Sequence, residues 1–276
     1  MTPVLTATRY VQPLREGGTL PAVVETHDGG LWVAKFRGAG QGAKALIAEL
    51  LVGMMAEAVG LPVPELALIE LLPDFGQTEP DPEIQDLLRA SVGVNVGLRY
   101  LDGAFNFHAK SADGIIGPEL AARIVWLDAF TTNPDRTARN PNLLVHDRRP
   151  YLIDHGAALY AQHDWPSVDE ARTRTPFPLI KDHVLLPGSG DLQAADADLA
   201  PLLSDDVLAG IVARLPDALL ADPALAADFA TPEAARERYL GYLRTRIAAP
   251  RAFVQAAAEA RTRAAAEPPR RLSSRR

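Results

Sequence analysis

Asn133-Pro134-Asp135-Arg136-Thr137-Ala138-Arg139-Asn140-Pro141-Asn142-Leu143-Leu144-Val145-His146-Asp147-Arg148-Arg149-Pro150-Tyr151-Leu152-Ile153-Asp154-His155-Gly156 is the run on which the fold of this chain turns. Asp135 is followed five residues later by Asn140 and seven later by Asn142. An apolar strand-like run (143–145), a turn (147–150) and a second run (151–153) come next, and the second run ends on Asp154 with Gly156 two residues on. Two short runs about a turn read as a hairpin. A hairpin brings the ends of the segment together, so the oxygen-bearing side chains can share one cleft. Phosphoryl transfer to a hydroxyl needs that set: one carboxylate beside the incoming hydroxyl, and an amide and a second carboxylate to hold magnesium.

Each residue also has a plainer role. Asn-Pro-Asp is a common turn composition, and an aspartate often ends a strand. The density of polar groups speaks against a plain turn. Asp135, Arg136, Arg139, Asn140 and Asn142 fall within eight residues bracketed by apolar segments. Asp135 is placed to accept or orient the proton of an attacking hydroxyl. Arg136 and Arg139 are placed to steady phosphate or to pair with nearby acids. Asp154, read together with Asp135 and Asn140, is a candidate metal ligand.

Upstream, residues 8–36 read as two or three antiparallel strands, with His27-Asp28-Gly29-Gly30 as a hairpin turn. Lys35 lies on the last of them, on the same pleat face as Val33. It is either an edge lysine that discourages aggregation or a cleft residue. A helix fits residues 43–59, ended by Gly60. Within it Glu49 stands among Leu46, Ile47, Ala48, Leu50 and Leu51. A carboxylate there is costly to bury unless paired. Lys35 is the natural partner of Glu49, with Glu57 the alternative acid two turns on. Gly17-Gly18-Thr19 is either a phosphate-approaching loop or a simple turn. A strand over 63–72, a loop with a short helix over 73–90 and a strand over 91–100 follow. Residues 118–131 form a helix. The stretch from 162 to 200 is punctuated by Pro and Asp, and 205–266 reads as helical. Lys181-Asp182-His183 is a polar knot that either lines the cleft or forms a structural network.

The 276 residues carry 47% hydrophobic side chains and no cysteine, which excludes disulfides and thiolate metal sites. The histidines show no zinc-type spacing. No apolar run is long enough to span a membrane, and no secretory leader is legible, so a cytoplasmic location is expected. Net charge is −7, yet residues 251–276 hold seven Arg and two Glu. The acidic body is a poor match for nucleic acid. The last residues, 267–276, read as a solvated basic tail.

The order Gly17-Gly18-Thr19, Val33-Ala34-Lys35-Phe36, Glu49, Val59-Gly60-Leu61-Pro62-Val63-Pro64, Asn133-Pro134-Asp135-Arg136-Thr137, Asn140 and Leu152-Ile153-Asp154-His155-Gly156 resembles the HipA-like kinases, in their short form. The resemblance implies an α+β, two-lobed protein-kinase-like fold, also akin to phosphoinositide kinases. It implies a small antiparallel β lobe with one helix (residues 1–98) and a larger, mainly helical lobe (99–266). It implies ATP and Mg²⁺ as cofactors. Gly17, Gly18, Thr19 and Lys35 would contact the nucleotide phosphates, and Glu49 would position Lys35. Residues 96–103, with Arg99, Tyr100 and Leu101, would offer backbone groups to adenine. Asp135 would be the catalytic base. Asn140 and Asp154 would ligate magnesium, with Asn142 the alternative amide. Thr137 stands where the family often has histidine, and His155 where the kinase triplet has phenylalanine. The implied activity moves the γ-phosphate of ATP to a hydroxyl acceptor, a protein Ser or Thr first. Ser273 and Ser274 in the tail are conceivable acceptors within the chain itself. A small-molecule or lipid acceptor, or a non-catalytic nucleotide-binding module, are the alternatives.

Overall fold

In a computed structural model the described residues are 2–14, 20–40, 42–77, 79–108 and 114–266. Gly17, Gly18, Thr19 and the basic tail, Ser273 and Ser274 included, lie outside them. The N-terminal part is a five-stranded closed barrel of β1 (Val4–Pro13), β2 (Ala22–Thr26), β3 (Leu31–Lys35), β4 (Leu66–Leu71) and β5 (Gly93–Arg99), in the order β1-β2-β3-β5-β4. The strands alternate because one face of each packs inward. In β3, Trp32 and Ala34 are buried while Leu31, Val33 and Lys35 are partly exposed. The barrel interior is filled by residues such as Leu5, Val24, Trp32, Ile69 and Leu71.

An all-antiparallel sheet was expected, and the structure corrects this. β1 starts at Val4, four residues before the expected first strand, and that extension pairs parallel with β4 (Val4 with Leu68, Thr6 with Glu70). The seam closes the barrel and leaves no free edge. Two helices accompany the barrel, the one the family resemblance implies and the short one read over residues 73–90. α1 (Gly42–Ala58) is buried on nearly every side, and α2 (Pro82–Ala90) plugs the barrel with Ile84 and Leu88. α1 ends as a Schellman turn. Leu61 N–H bonds Ala56 O (2.8 Å), Gly60 N–H bonds Glu57 O (3.0 Å), and Gly60 takes the φ of 71° that suits a residue without a Cβ.

β6 (Phe105–Asn106), β7 (Leu143–His146) and β8 (Arg149–Leu152) form a second, three-stranded sheet, with α3 (Pro118–Phe130) between β6 and β7 in the chain. The β7–β8 hairpin turns on Asp147 and Arg148, both left-handed (φ 49° and 61°), as a two-residue primed turn requires. The second strand therefore starts at Arg149, two residues ahead of the run read in the sequence.

The expected continuous helical region is broken into α6 (Asp205–Ala213), α7 (Asp217–Leu220), α8 (Pro223–Ala226), α9 (Pro232–Ile247) and α10 (Ala252–Ala266). Pro223 and Pro232 open their helices, where a missing N–H costs nothing. α4 (Glu170–Thr173), capped by Asp169, and α5 (Leu192–Leu199), capped by Asp191, are helices the sequence did not suggest. α6, α7 and α8 pack against α1, so the second half of the chain supports the helix that carries Glu49. Among the described residues no helix is long and apolar enough to cross a membrane.

Candidate active site

Lys35 Nζ lies 2.7 Å from Glu49 Oε2 and 2.6 Å from Asp154 Oδ1. Glu49 is the partner foreseen; Glu57 is exposed and takes no part. Asp154 was not foreseen as a partner. The Glu49 side chain is fully buried, so its charge needs the lysine. Its Oε2 also accepts the His155 backbone N–H at 2.7 Å. Burial disfavours the Lys35 ammonium, yet the Glu49 and Asp154 carboxylates outweigh burial and hold its pKa above the ordinary lysine value. Burial raises the Asp154 pKa, and the Lys35 ammonium overrides it and holds the carboxyl below its usual range. Asp154 adopts a left-handed backbone (φ 57°), an uncommon conformation that non-glycine residues keep only where surroundings impose it. Gly156 follows where a Cβ would sit 3.4 Å from Ala45 Cβ, close against α1.

Asp135 Oδ2 accepts from Asn140 Nδ2 (2.8 Å) and from Asn142 Nδ2 (3.1 Å). Both asparagines thus converge on one carboxylate. Asn140 is exposed and Asn142 is buried with φ 48°, a conformation asparagine tolerates. With each amide nitrogen turned to Asp135, each carbonyl oxygen is left to face another partner.

Beneath this surface lies a buried ionic knot. Arg136 Nε donates to Asp128 Oδ2 at 2.6 Å, and both side chains are fully buried. Arg136 further donates to the carbonyls of Asn142 and Ile153 and contacts His155 Nδ1 at 3.3 Å. Arg136 therefore does not face phosphate; it binds the Asp135 segment to the Asp154 segment. Asp128 also accepts from Asn133 Nδ2 (2.9 Å) and His183 Nε2 (2.9 Å). His183 takes the proton on Nε2 because its Nδ1 accepts the Leu185 N–H. The 181–183 knot thus resolves into a structural role for His183, while Lys181 and Asp182 are exposed. Burial raises the Asp128 pKa, but Arg136 and His183 pull it well below the carboxylate range. Burial pushes His155 down to about 4, against the opposing pull of Glu49, and pushes His183 down against Asp128.

Asp128 was missed. It stands in α3 between Leu127 and Ala129 as Glu49 stands in α1, a lone acid in an apolar helix, and that signal was available.

A cleft of about 790 Å³ opens between barrel and hairpin. Val33, Pro64, Leu98, Leu144 and Ile153 give it apolar walls, and Lys35, Asn140, Asn142 and Asp154 line its polar part. Arg99, Tyr100, Leu101 and Arg139 line it too. Apolar walls with a few convergent polar groups are the usual make-up of a small-ligand site. Among the described residues no three His, Cys, Asp or Glu gather into a metal cage. Magnesium does not require one. It is commonly held by one or two carboxylates, with water and substrate phosphate completing the shell. Asp154 with an asparagine carbonyl oxygen fits that donor set.

Residues 8–170 match the family model of HipA-like kinases. No curated protein matches the chain. Among solved structures, the chain is similar to the Helicobacter pylori proinflammatory kinase CtkA, with 12% identity, a TM-score of 0.53, and coverage of 96% of this chain and 98% of that one. At that identity the likeness establishes a kinase-like fold.

Proposed function

The chain belongs to the HipA-like kinase family, and from that premise and the geometry of the cleft we propose that it is an ATP- and magnesium-dependent phosphotransferase acting on a hydroxyl acceptor, a protein Ser or Thr before a small molecule. The observation that carries the reading is the convergence of Lys35, Asn140, Asn142 and Asp154 on one cleft, with Asp135 bonded to both asparagines.

The roles follow from chemistry. Lys35, fixed by Glu49, presents its ammonium to the nucleotide phosphates. Asp135 receives the proton of the acceptor hydroxyl, and its two amide donors orient the carboxylate. Asp154 and Asn140 hold magnesium, with Asn142 as the alternative amide. Magnesium, when bound, neutralises charge on the phosphate oxygens. The adenine lies between the apolar walls against Arg99, Tyr100 and Leu101. Leu101 N–H takes no backbone partner among the described residues and is the natural donor to the base. Positioning and charge neutralisation supply most of the rate in such a site. Exposed Arg139 steadies the outer phosphate or an acidic acceptor. The direct test is incubation with γ-labelled ATP and Mg²⁺ in a cell extract. Labelled product that disappears in Asp135→Asn supports the reading; nucleotide binding with no transfer or hydrolysis in any condition rejects it.

A further inference from the structure

His155 occupies the middle of the Asp154-His155-Gly156 turn, and only 1% of it is exposed. A buried imidazole must place both ring nitrogens. Arg136 Nη2 lies 3.3 Å from Nδ1. A guanidinium has only donors, so Nδ1 accepts, and the ring proton sits on Nε2. That Nε2 has no hydrogen-bond partner among the described residues, and neither has the buried Glu49 Oε1. One is a donor and the other an acceptor. They belong to two residues already joined, because the His155 backbone N–H donates to Glu49 Oε2 at 2.7 Å. That same Oε2 holds Lys35 at 2.7 Å. An unmet donor and an unmet acceptor buried in one cluster each carry a desolvation penalty that their union removes.

We propose that His155 is a positioning residue whose ring N–H closes on Glu49 Oε1, directly or through one buried water, so that Arg136, His155 and Glu49 form a continuous hydrogen-bonded rod from the Asp135 segment to Lys35. This deepens the kinase reading and rests on it. The rod fixes the spacing between the proton acceptor and the phosphate-binding ammonium. Its two ends lie on residues adjacent to, or bonded to, the groups that touch substrate, so its effect is on alignment rather than on nucleotide contact. A phenylalanine at 155 would keep the backbone N–H and the packing but cut the rod.

Two measurements on the full chain test this. In ¹⁵N-histidine-labelled protein, the signals absent from His155→Phe identify the residue. They are expected to report a neutral ring protonated at Nε2 and to move in Glu49→Gln. A proton on Nδ1, or signals blind to Glu49→Gln, overturns the contact. In MgATP turnover, His155→Phe is expected to lower kcat about tenfold or more while KM for ATP stays within about threefold. His155→Gln, whose amide donates from a similar reach, recovers most of that loss. Wild-type kcat in His155→Phe overturns the positioning role, as does a loss that only tracks the fall in Tm and that glutamine does not recover. A wild-type chain that neither binds nor turns over MgATP rejects the kinase reading and the positioning role with it, while the tautomer measurement still decides the contact.

Discussion

Asp154 Oδ1 lies 2.6 Å from Lys35 Nζ although 119 residues separate the two in the chain. The contact ties the end of the hairpin to the barrel wall and leaves one lysine shared by two carboxylates. Glu49 is fully buried and Asp154 is 43% exposed, so the two acids differ in what they lose without the lysine. Asp154→Asn keeps the side-chain shape and tolerates the left-handed backbone. Its effect on stability is expected to stay within about 1 kcal/mol, because solvent screens a half-exposed pair. Magnesium-dependent nucleotide affinity is expected to fall about tenfold or more. Titration calorimetry with and without chelator measures both forms. Unchanged magnesium dependence would remove Asp154 from the metal set.

Lys35→Met has a different cost. It leaves the buried Glu49 carboxylate without a counter-charge, held by the His155 backbone N–H on Oε2. Removing one partner of a buried pair costs on the order of 3 kcal/mol. Lys35→Met/Glu49→Gln removes the stranded charge and is expected to recover much of that loss, while nucleotide use stays low in both. Urea unfolding of the two variants decides the matter. Equal stabilities would mean that Glu49 is not the group the lysine satisfies.

Acid should act on this protein in two stages. The folded His155 pKa is about 4 against an ordinary value of 6.5, and His183 shifts the same way. Between those values the unfolded chain binds protons that the folded chain refuses. Stability therefore falls as pH drops from 6.5 toward 4, by about 3 kcal/mol for a wholly buried neutral imidazole. Asp128 has a depressed pKa, so its contribution is present above the ordinary carboxylate value and is lost only below about pH 4. Urea midpoints at several pH values across this range trace the first stage, and His155→Phe should flatten part of the slope. A flat profile from pH 7 to 4.5 contradicts neutral, buried rings.

Much of this arrangement is legible in the sequence, and the reasons are local. Glu49 betrays itself as an acid in an apolar helix that needs a cation, and Lys35 on the neighbouring strand supplies it. The hairpin announces itself through two short apolar runs, and its closure sets the Asp154 end beside Asn142, whose carbonyl accepts the Ile153 N–H at 3.1 Å. The barrel closure is not legible, because a parallel seam between Val4–Thr6 and β4 joins residues more than sixty apart with no turn to mark it. Arg246 is hidden for a related reason. On α9 it reads as one more surface cation, yet it is buried and donates to the carbonyls of Ala129 and Phe130 at the end of α3 and of Thr173. Only the packing of distant helices reveals it. Arg136 reads either as a phosphate contact or as the partner of a nearby acid, because charge pattern cannot tell a cleft from a core, and its pairing with Asp128 is the second of these. Its neighbour Asp128 settles the difference.

The C-terminal segment holds the start of α1 through two ion pairs, Arg37, in the connection before the helix, with Asp222 at 2.6 Å and Lys44, in its first turn, with Asp228 at 3.1 Å, all four side chains being at most one-fifth exposed. Arg123 donates to Val59 O at 2.8 Å at the other end of the helix. α1 is thus fixed at both ends with Glu49 between them. Asp222→Asn keeps the cap on α8, since asparagine caps as well as aspartate, and removes only the charge. The Asp222→Asn/Asp228→Asn variant is expected to lose about 1–2 kcal/mol, more than exposed pairs would contribute. Amide exchange along the first turns of α1 should quicken while exchange in the barrel strands stays as in the wild type. ATP turnover is expected to fall more than nucleotide affinity, because a looser α1 lets Glu49 and Lys35 drift without removing either. High salt should weaken the wild type toward the variant and leave the variant nearly unchanged. Uniform exchange in α1 and equal salt responses would show that packing against α6, α7 and α8 alone fixes the helix.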